Sequence, residues 1–194
     1  MLIRSGKTAR SSPAARCLGR LQAAVLLFRM LRAASFDGRV YDDLRQDPVA
    51  LAQAFVAFVA ALVAMVLGSV LFVILAHGSV ATFGVALGEP FALWLLPAAS
   101  LFFLGGLARV NDPARGGDRD LLIAIGYSAS PGVLWIIPYP LFALIVWGWV
   151  MAAMVVAAKA ILGVSLLKAV ALIFPGIAGY ALLLYLAGLL TKPA

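Results

Sequence analysis

An uncharged and strongly apolar stretch, residues 49–76, constrains the fold of this chain more than any other feature of the sequence. Only Gln53 and Ser69 stand out as polar positions within it, and Pro48 precedes it at a place that a helix start tolerates. The hydrocarbon core of a bilayer is about 30 Å thick, which an α-helix crosses in about 20 apolar residues. This stretch is therefore predicted to be a membrane-spanning helix.

The composition of the whole chain also indicates a membrane protein. Apolar residues make up 64% of its 194 residues and charged residues only 12%, against roughly a quarter in an ordinary globular domain. The mean hydropathy is +1.07, which exceeds what a water-soluble core of this size can bury. We expect an all-α fold, a polytopic transmembrane helical bundle, because helices satisfy their backbone polar groups within lipid.

Four further apolar segments bring the predicted number of spans to five. The second span covers residues 91–107, and the third, residues 121–137, is the most polar. The fourth, residues 141–158, follows after a short turn, so spans three and four should form a tight helical hairpin. The fifth covers residues 169–190 and leaves a short tail at 191–194. Counts of four or six spans are the main alternatives.

Lysine and arginine are distributed unevenly between the two sides of this predicted bundle. Fourteen of the fifteen basic residues precede span one or lie in the second and fourth loops, and only Lys192 lies on the other side. The positive-inside rule makes the basic side cytoplasmic. The sequence therefore predicts a cytoplasmic N-terminus and a C-terminus outside.

Residues 1–48 are predicted to form a basic cytoplasmic arm. The first 36 residues contain no acid and are rich in arginine, serine and alanine, a composition that organelle transit peptides share. Helical spacing places Gln22, Arg29 and Arg32 on one stripe opposite apolar residues, which predicts a modest amphipathic interfacial helix. We expect Arg29, Arg32 and Arg39 to contact anionic lipid head groups. Translation that begins at Met30 is an alternative interpretation.

Several segments, taken in order, resemble bacterial members of the Yip1 family. Residues 39–48, RVYDDLRQDP, lead directly into an alanine-rich span, residues 126–131, GYSASP, resemble a Gly-Tyr-(small)-x-x-Pro signature, and residues 158–165, AKAILGVS, link the last two spans. The resemblance covers about residues 30–190. It implies a Yip1 domain of five spans with a cytoplasmic N-terminus, in agreement with the distribution of charge.

The resemblance implies less about function. Eukaryotic members of the family associate with Rab-type GTPases and act in vesicle traffic and membrane shaping. This chain lacks the Asp-Leu-Tyr-Gly-Pro motif of that branch, and residues 41–48 resemble it only loosely. Rab binding is therefore not expected. The high alanine, arginine and glycine content is similar to that of bacterial proteins and predicts the bacterial cytoplasmic (inner) membrane.

Span three contains a group of polar and small residues that we call the polar node, Gly126, Tyr127, Ser128, Ser130 and Pro131. Hydroxyl groups inside a bilayer must face protein or a wet cavity. A small polar site is one interpretation. The favoured one is that the serine hydroxyls bond back to the helix near the carbonyl that the proline frees. Spans three, four and five are expected to close around the node.

The aromatic residues fall into two predicted groups. Trp94, Trp135 and Tyr139 lie near the predicted outer boundary, as residues of an aromatic belt do. Trp147 and Trp149 fall near the middle of span four. We expect these two to pack against other helices.

No set of residues has the spacing of a catalytic or metal site. His77 has no second histidine at ligand spacing, Glu89 is the only acid on the predicted outer side, and Cys17 is the only cysteine. The acids within residues 111–120 alternate with arginines and fit a solvated turn better than a calcium loop. We expect no catalytic residue, no metal and no cofactor.

The sequence therefore predicts a non-enzymatic membrane scaffold or organiser that binds membrane lipids, other membrane proteins or further copies of itself. The alternative is a small permease or channel for a neutral solute, because Pro97, Pro131 and Pro175 interrupt the spans while no charge lies within them. An intramembrane enzyme is a third class, for which only the span-three hydroxyls are candidates. Nucleic acid is not an expected partner, since the basic residues flank apolar segments.

Overall fold

The computed structural model describes residues 13–76, 80–110 and 116–190, with side chains at 22–76, 88, 91–108, 116–139 and 141–186. All regular structure in these ranges is helical, which confirms the predicted all-α fold. The helices are α1 (Pro13–Ala34), α2 (Val40–Gln46), α3 (Ala50–Leu75), α4 (Val80–Val110), α5 (Asp118–Ser128), a 3-10 helix (Ser130–Ile136), α6 (Pro140–Leu162) and α7 (Leu166–Leu190).

Four of these helices are long and apolar enough to cross a membrane. Their qualifying stretches are Ala50–Leu75, Phe91–Ala108, Leu141–Leu162 and Leu166–Leu186. They correspond to predicted spans one, two, four and five. The chain thus has the helices of a membrane-embedded protein.

The predicted third span is not one continuous helix. α5 ends at Ser128 and the 3-10 helix follows from Ser130, and each is shorter than the 18 residues of a spanning helix. Pro131 causes the break, because it has no N–H to donate and its ring crowds the preceding turn. The tighter 3-10 pattern then begins, with the N–H of Gly132 bonded to the carbonyl of Ala129 at 2.7 Å. We call residues 118–136 the broken segment, and its helix lengths do not confirm a count of five spans.

The broken segment lies in the centre of the bundle. From residue 121 to residue 132 every side chain is buried except that of Leu122. The segment packs against α3 along its length and against α6, whereas α7 packs mainly on α4. The expectation that spans three, four and five close around the node was therefore wrong for span five, because α7 packs mainly on α4. Span one is the principal neighbour, because its small side chains allow the closest approach.

α3 and the broken segment run parallel to each other. Three contacts, in the same order along both, pair Gly126 with Ala54, Gly132 with Ala61 and Trp135 with Gly68. The α3 positions are seven residues apart, two helical turns, and so lie on one face. A Cβ on Gly126 would lie 2.6 Å from the carbonyl oxygen of Ala54, and one on Gly68 would lie 2.0 Å from that of Trp135. Glycine at these two positions is what allows the backbones to meet.

The remaining long helices alternate in direction. Close contacts that fix this are Gly105 with Leu121 and Leu162, Gly116 with Ile161, Ser100 with Leu172, and Gly176 with Leu96. α4 and α6 therefore end where the broken segment begins, and α7 runs antiparallel to α4. The chain passes along the bundle in alternating directions from α3 to α7.

Every charged side chain that the structure describes lies toward one end of the bundle, which we call the charged end. They are Arg29, Arg32, Asp37, Arg39, Asp42, Asp43, Arg45, Asp47, Asp118, Arg119, Asp120, Lys159 and Lys168. This end contains the loops around α2, the start of the broken segment and the turn between α6 and α7. Apart from Lys159 and Lys168 at this end, the stretches of α3, α4, α6 and α7 that are apolar enough to cross a membrane carry no charged residue.

Candidate functional site

The two serines of the polar node bond to the backbone of their own segment. Ser130 Oγ donates to the carbonyl oxygen of Tyr127 at 2.6 Å, and Ser128 Oγ donates to that of Ile125 at 2.9 Å. Pro131 cannot supply an N–H to the Tyr127 carbonyl, so the serine hydroxyl replaces it. This is the hydrogen bond that the sequence predicted. Whether the node has a further role stays a prediction.

Tyr127 connects the node to the charged end. Its hydroxyl donates to Gln53 Oε1 at 3.0 Å, and Arg29 Nη1 donates to the same oxygen at 2.5 Å. Arg29 Nη2 also pairs with Asp47 Oδ2 at 2.6 Å. These four residues, Asp47, Arg29, Gln53 and Tyr127, form what we call the polar chain. It joins α1, the start of α3 and α5, and the two contacts made by Arg29 are charge-assisted and therefore stronger than neutral hydrogen bonds.

The sequence singled out three members of the polar chain but did not indicate their connection. Tyr127 was a node residue and Arg29 a candidate for lipid contact, whereas Gln53 was only a polar interruption of span one. A glutamine in the first turn of an otherwise apolar span indicates a polar partner within the protein, because lipid cannot pair with its amide. The partners themselves lie 24 and 74 positions away in the chain. Only the fold brings them together.

Tyr41 is a second buried tyrosine, on α2, whose hydroxyl has no hydrogen-bond partner among the described residues. The side chain is 1% exposed. Burial, with a smaller contribution from the neighbouring Tyr127, raises the pKa of Tyr41 well above its ordinary value of 10.0. Tyr41 thus places beside the polar chain a buried hydroxyl without a hydrogen bond to any described residue.

A second polar contact fixes α2 to the start of α5. Arg119 donates to the carbonyl oxygens of Arg45, in the last turn of α2, and of Asp47, the residue that follows the helix. Asp120 accepts a hydrogen bond from the N–H of Gly117 at 2.9 Å and pairs with Arg45 at 3.4 Å. Asp120 thus caps the start of α5, as expected for a turn that precedes span three. Arg119 connects α5 to the end of α2.

The three arginines expected at lipid head groups differ in their surroundings. Arg29 is engaged in the polar chain, and Arg32 pairs with Asp37 at 2.7 Å and with Asp43 at 3.0 Å. The hydrogen bond from Arg32 lowers the pKa of Asp37 below its ordinary value. Arg39 is exposed. Contact of these residues with lipid stays a prediction, and Arg39 has the most accessible charge of the three.

Trp94 does not belong to an aromatic belt. Its side chain is 4% exposed and packs against Phe58 in a tilted arrangement, with ring centroids 4.5 Å apart. The indole N–H has no partner among the described residues. The ring lines a cavity of about 10 Å³ together with Trp135 and Trp147, which is room for about one water molecule. Tyr139, by contrast, is exposed as a belt residue would be.

The described residues contain no group of three or more histidine, cysteine, aspartate or glutamate side chains placed to hold a metal ion. The side chains of Cys17, His77 and Glu89 lie outside the described part of the chain, as do Asn111 and Asp112.

In comparisons with known proteins, no family model, no curated protein and no solved structure matches this chain. The resemblance to the Yip1 family therefore stays a prediction from the quoted segments. What the chain does must be inferred from the geometry of its own residues.

Proposed function

We propose that the protein is a non-enzymatic integral membrane scaffold that organises lipids or partner proteins in the membrane. The main observation that supports this proposal is that the hydroxyls of Ser128, Ser130 and Tyr127 all donate hydrogen bonds within the protein. Fully paired buried polar groups rigidify a fold and fix its helix contacts. Such a node holds helices together rather than presenting polar groups to a substrate or a permeating solute.

Five membrane crossings are part of this proposal. The broken segment begins at the charged end, as α3 does, and reaches Trp135 beside Gly68. Gly68 lies eighteen residues from Ala50, about 27 Å of helix rise, which is close to the hydrocarbon thickness of about 30 Å. Irregular backbone is tolerated at that depth only where protein surrounds it. The burial of residues 123–132 supports a crossing of this kind.

The proposed orientation has the charged end in the cytoplasm and the C-terminus outside, in a bacterial inner membrane. The positive-inside rule and the collection of described charges at one end support it. The order of the Yip1-like segments is compatible with this arrangement and supports the proposed family. A topology reporter fused after Ala194 should be active outside the cytoplasm. A cytoplasmic signal there would show that a crossing was miscounted.

Affinity capture of the tagged protein from native membranes tests the scaffold. We expect a protein or an anionic lipid class to co-purify reproducibly, and to be absent from a capture with an unrelated tagged membrane protein of the same size. Substitution of Arg39 by glutamine should reduce the lipid fraction because its charge is accessible. Capture of nothing beyond the control, at full expression, would contradict the proposal.

A permease or channel for a small neutral solute is the second candidate. The observation in its favour is the cavity beside the broken segment, where the indole N–H of Trp94 has no partner among the described residues. Liposomes that contain the purified protein would then take up a small neutral solute faster than empty liposomes. Substitution of Trp94 by phenylalanine should change that rate. Equal rates with and without protein would exclude this candidate.

A further inference from the structure

The end of α1 lies beside the middle of α6, not across the charged end. Trp149 donates its indole N–H to the carbonyl oxygen of Ala34, the last residue of α1, at 2.6 Å. Trp149 is thirteen residues, about 20 Å of helix rise, from Leu162. Four residues after Ala34, Gly38 packs against Ala160. The chain therefore moves toward the charged end as it leaves α1, and α1 itself lies deeper.

α1 continues along the flank of the broken segment. It packs against α5, the 3-10 helix and α6. The 3-10 helix stands beside Ala61 and Gly68 of α3, about 16 Å and 27 Å of helix rise from Ala50. α1 therefore reaches at least the near end of the 3-10 helix. The side chains that α1 turns toward the core are Leu26, Met30 and Ala33.

The opposite face of α1 is apolar and exposed. Its large side chains are Val25, Leu27, Phe28 and Leu31, which are 42%, 60%, 61% and 68% exposed. Four neighbouring apolar side chains with this exposure are unfavourable in water. The same kind of surface covers the outer faces of α3 and α7, where Phe55 and Leu183 are also exposed. The exposed face of α1 is therefore apolar, like the outer faces of α3 and α7.

The described charges of α1 do not oppose contact with hydrocarbon. Arg29 is 18% exposed and its guanidinium bonds to Asp47 and Gln53 at the start of α3. Arg32 pairs with Asp37 and Asp43 in the loop and helix that follow. Long arginine side chains can hold their charge at the polar level while their stems stay in an apolar layer. Both charges are directed toward the charged end.

We propose that α1, from residue 22 to its end at Ala34, is immersed in the hydrocarbon of the leaflet at the charged end. Val25, Leu27, Phe28 and Leu31 contact lipid acyl chains there. α1 thereby separates the broken segment from lipid on this side. The interrupted backbone of that segment needs protein around it. The sequence had predicted an interfacial helix with its arginines at head groups. Phe28 lies deeper in the bilayer in the proposed arrangement than in the interfacial one.

Spin-label accessibility separates the two arrangements. In the full chain with Cys17→Ser, single cysteines replace Phe28, Met30 or Asp42, and each labelled protein is reconstituted in vesicles of phosphatidylcholine and phosphatidylglycerol. Dissolved oxygen concentrates in hydrocarbon, whereas a nickel chelate stays in water. Collision rates with both reagents are measured at each position. Phe28 and Met30 belong to opposite faces of α1, and Asp42 is an exposed residue of α2.

We expect the label at position 28 to collide frequently with oxygen and several-fold less with the nickel chelate than the label at position 42. The label at position 30 should be protected from both reagents, because Met30 packs against the core. A label at Val63→Cys, an exposed position of α3, marks hydrocarbon depth. Equal nickel collision rates at positions 28 and 42, or an oxygen-to-nickel ratio at position 28 well below that at position 63, would overturn the inference. If the cysteine at 30 prevents folding, Leu31→Cys supplies a second lipid-facing position and must behave like position 28. The outcome does not depend on whether the protein is a scaffold or a permease.

Discussion

The indole N–H of Trp147 donates to the carbonyl oxygen of Leu93 at 3.2 Å, and this is the carbonyl that Pro97 leaves without its helical donor. The same relationship recurs in the broken segment, where Ser130 donates to the carbonyl of Tyr127 beside its proline. Lipid offers no donor for a carbonyl of this kind. In both places a side chain supplies the hydrogen-bond donor that proline removes. The donor comes from a neighbouring helix at Leu93 and from the same segment at Tyr127.

Replacement of Trp147 by phenylalanine should destabilise the fold by about 1 kcal/mol, because it leaves the Leu93 carbonyl unpaired while keeping an aromatic ring in place. Reversible unfolding in mixed detergent micelles measures the change. Pro97→Ala provides the matched background, since alanine restores the N–H that the carbonyl lacks. The phenylalanine substitution should cost less there. Identical costs in both backgrounds would show that this hydrogen bond does not contribute.

The two buried tyrosines should respond differently to loss of their hydroxyls. Tyr127→Phe removes the hydrogen bond to Gln53 and should lower stability by about 0.6 kcal/mol, the average for such bonds in membrane proteins. Tyr41→Phe removes a buried hydroxyl that has no partner among the described residues, so it should be neutral or stabilising. Melting temperatures of both variants in the same detergent give the comparison. A larger loss for Tyr41→Phe would mean that Tyr41 has the important partner.

The long helices could be predicted because each rests on a local signal. Long uncharged apolar runs indicated α3, α4, α6 and α7, and the predicted boundaries of α3 differ from the observed ones by one residue at each end. Pro131 indicated a distortion and the Ser130 hydrogen bond, which are also local effects. The sequence did not indicate that the distortion would become a 3-10 helix, because that depends on the space between α3 and α6.

The partners across the bundle could not be predicted for a different reason. Alanine is so frequent in the chain that the face of α3 at Ala54 and Ala61 does not stand out among other small residues. Arg29 was expected at lipid head groups as part of a basic interfacial helix, whereas its acid, Asp47, lies eighteen positions away in the chain. The pairing of Trp147 with Leu93 depends on the contact between α6 and α4. Long-range packing decides all three, and no local pattern reports it.

The polar chain predicts a dependence of stability on pH. The N–H of Val49, and after it the hydrogen bond from Arg29, lower the pKa of Asp47 below its ordinary value of 3.8. The folded-state pKa is lower than the unfolded one, so the ionised carboxylate stabilises the fold fully above about pH 4 and loses its effect as the pH falls through the folded value. Asp47→Asn keeps the side-chain acceptor and removes the charge.

We therefore expect Asp47→Asn to melt at a lower temperature than the wild type near pH 7, with the gap closing as the pH falls below about 4. Asp42→Asn is the control, because Asp42 is an exposed acid of the neighbouring helix. That control should melt like the wild type across the range. A gap for Asp47→Asn that stays constant down to low pH would show that its charge is not the stabilising feature.

The contact between α3 and α5 at Gly126 gives the sharpest test of the packing. A Cβ at this position would lie 2.6 Å from the carbonyl oxygen of Ala54 and 2.8 Å from its Cβ. The first belongs to the α3 backbone and the second is attached directly to it, so neither can turn aside and Gly126→Ala must separate the two backbones. Overpacking of this kind costs about 1–3 kcal/mol. The loss should appear as a lower melting temperature in detergent and as reduced expression.

Gly148 is the matched control, because it also lies within a helix, α6, and nothing lies within 4 Å of a Cβ built there. Alanine is favoured over glycine inside a helix by roughly 1 kcal/mol. The same substitution should therefore be neutral or stabilising at position 148 and destabilising at position 126. Because helix propensity acts in the same direction at both positions, any loss at 126 reports the contact with Ala54. If Gly126→Ala melted as high as Gly148→Ala, α5 would not pack against α3 at this level and the central position of the broken segment would be wrong.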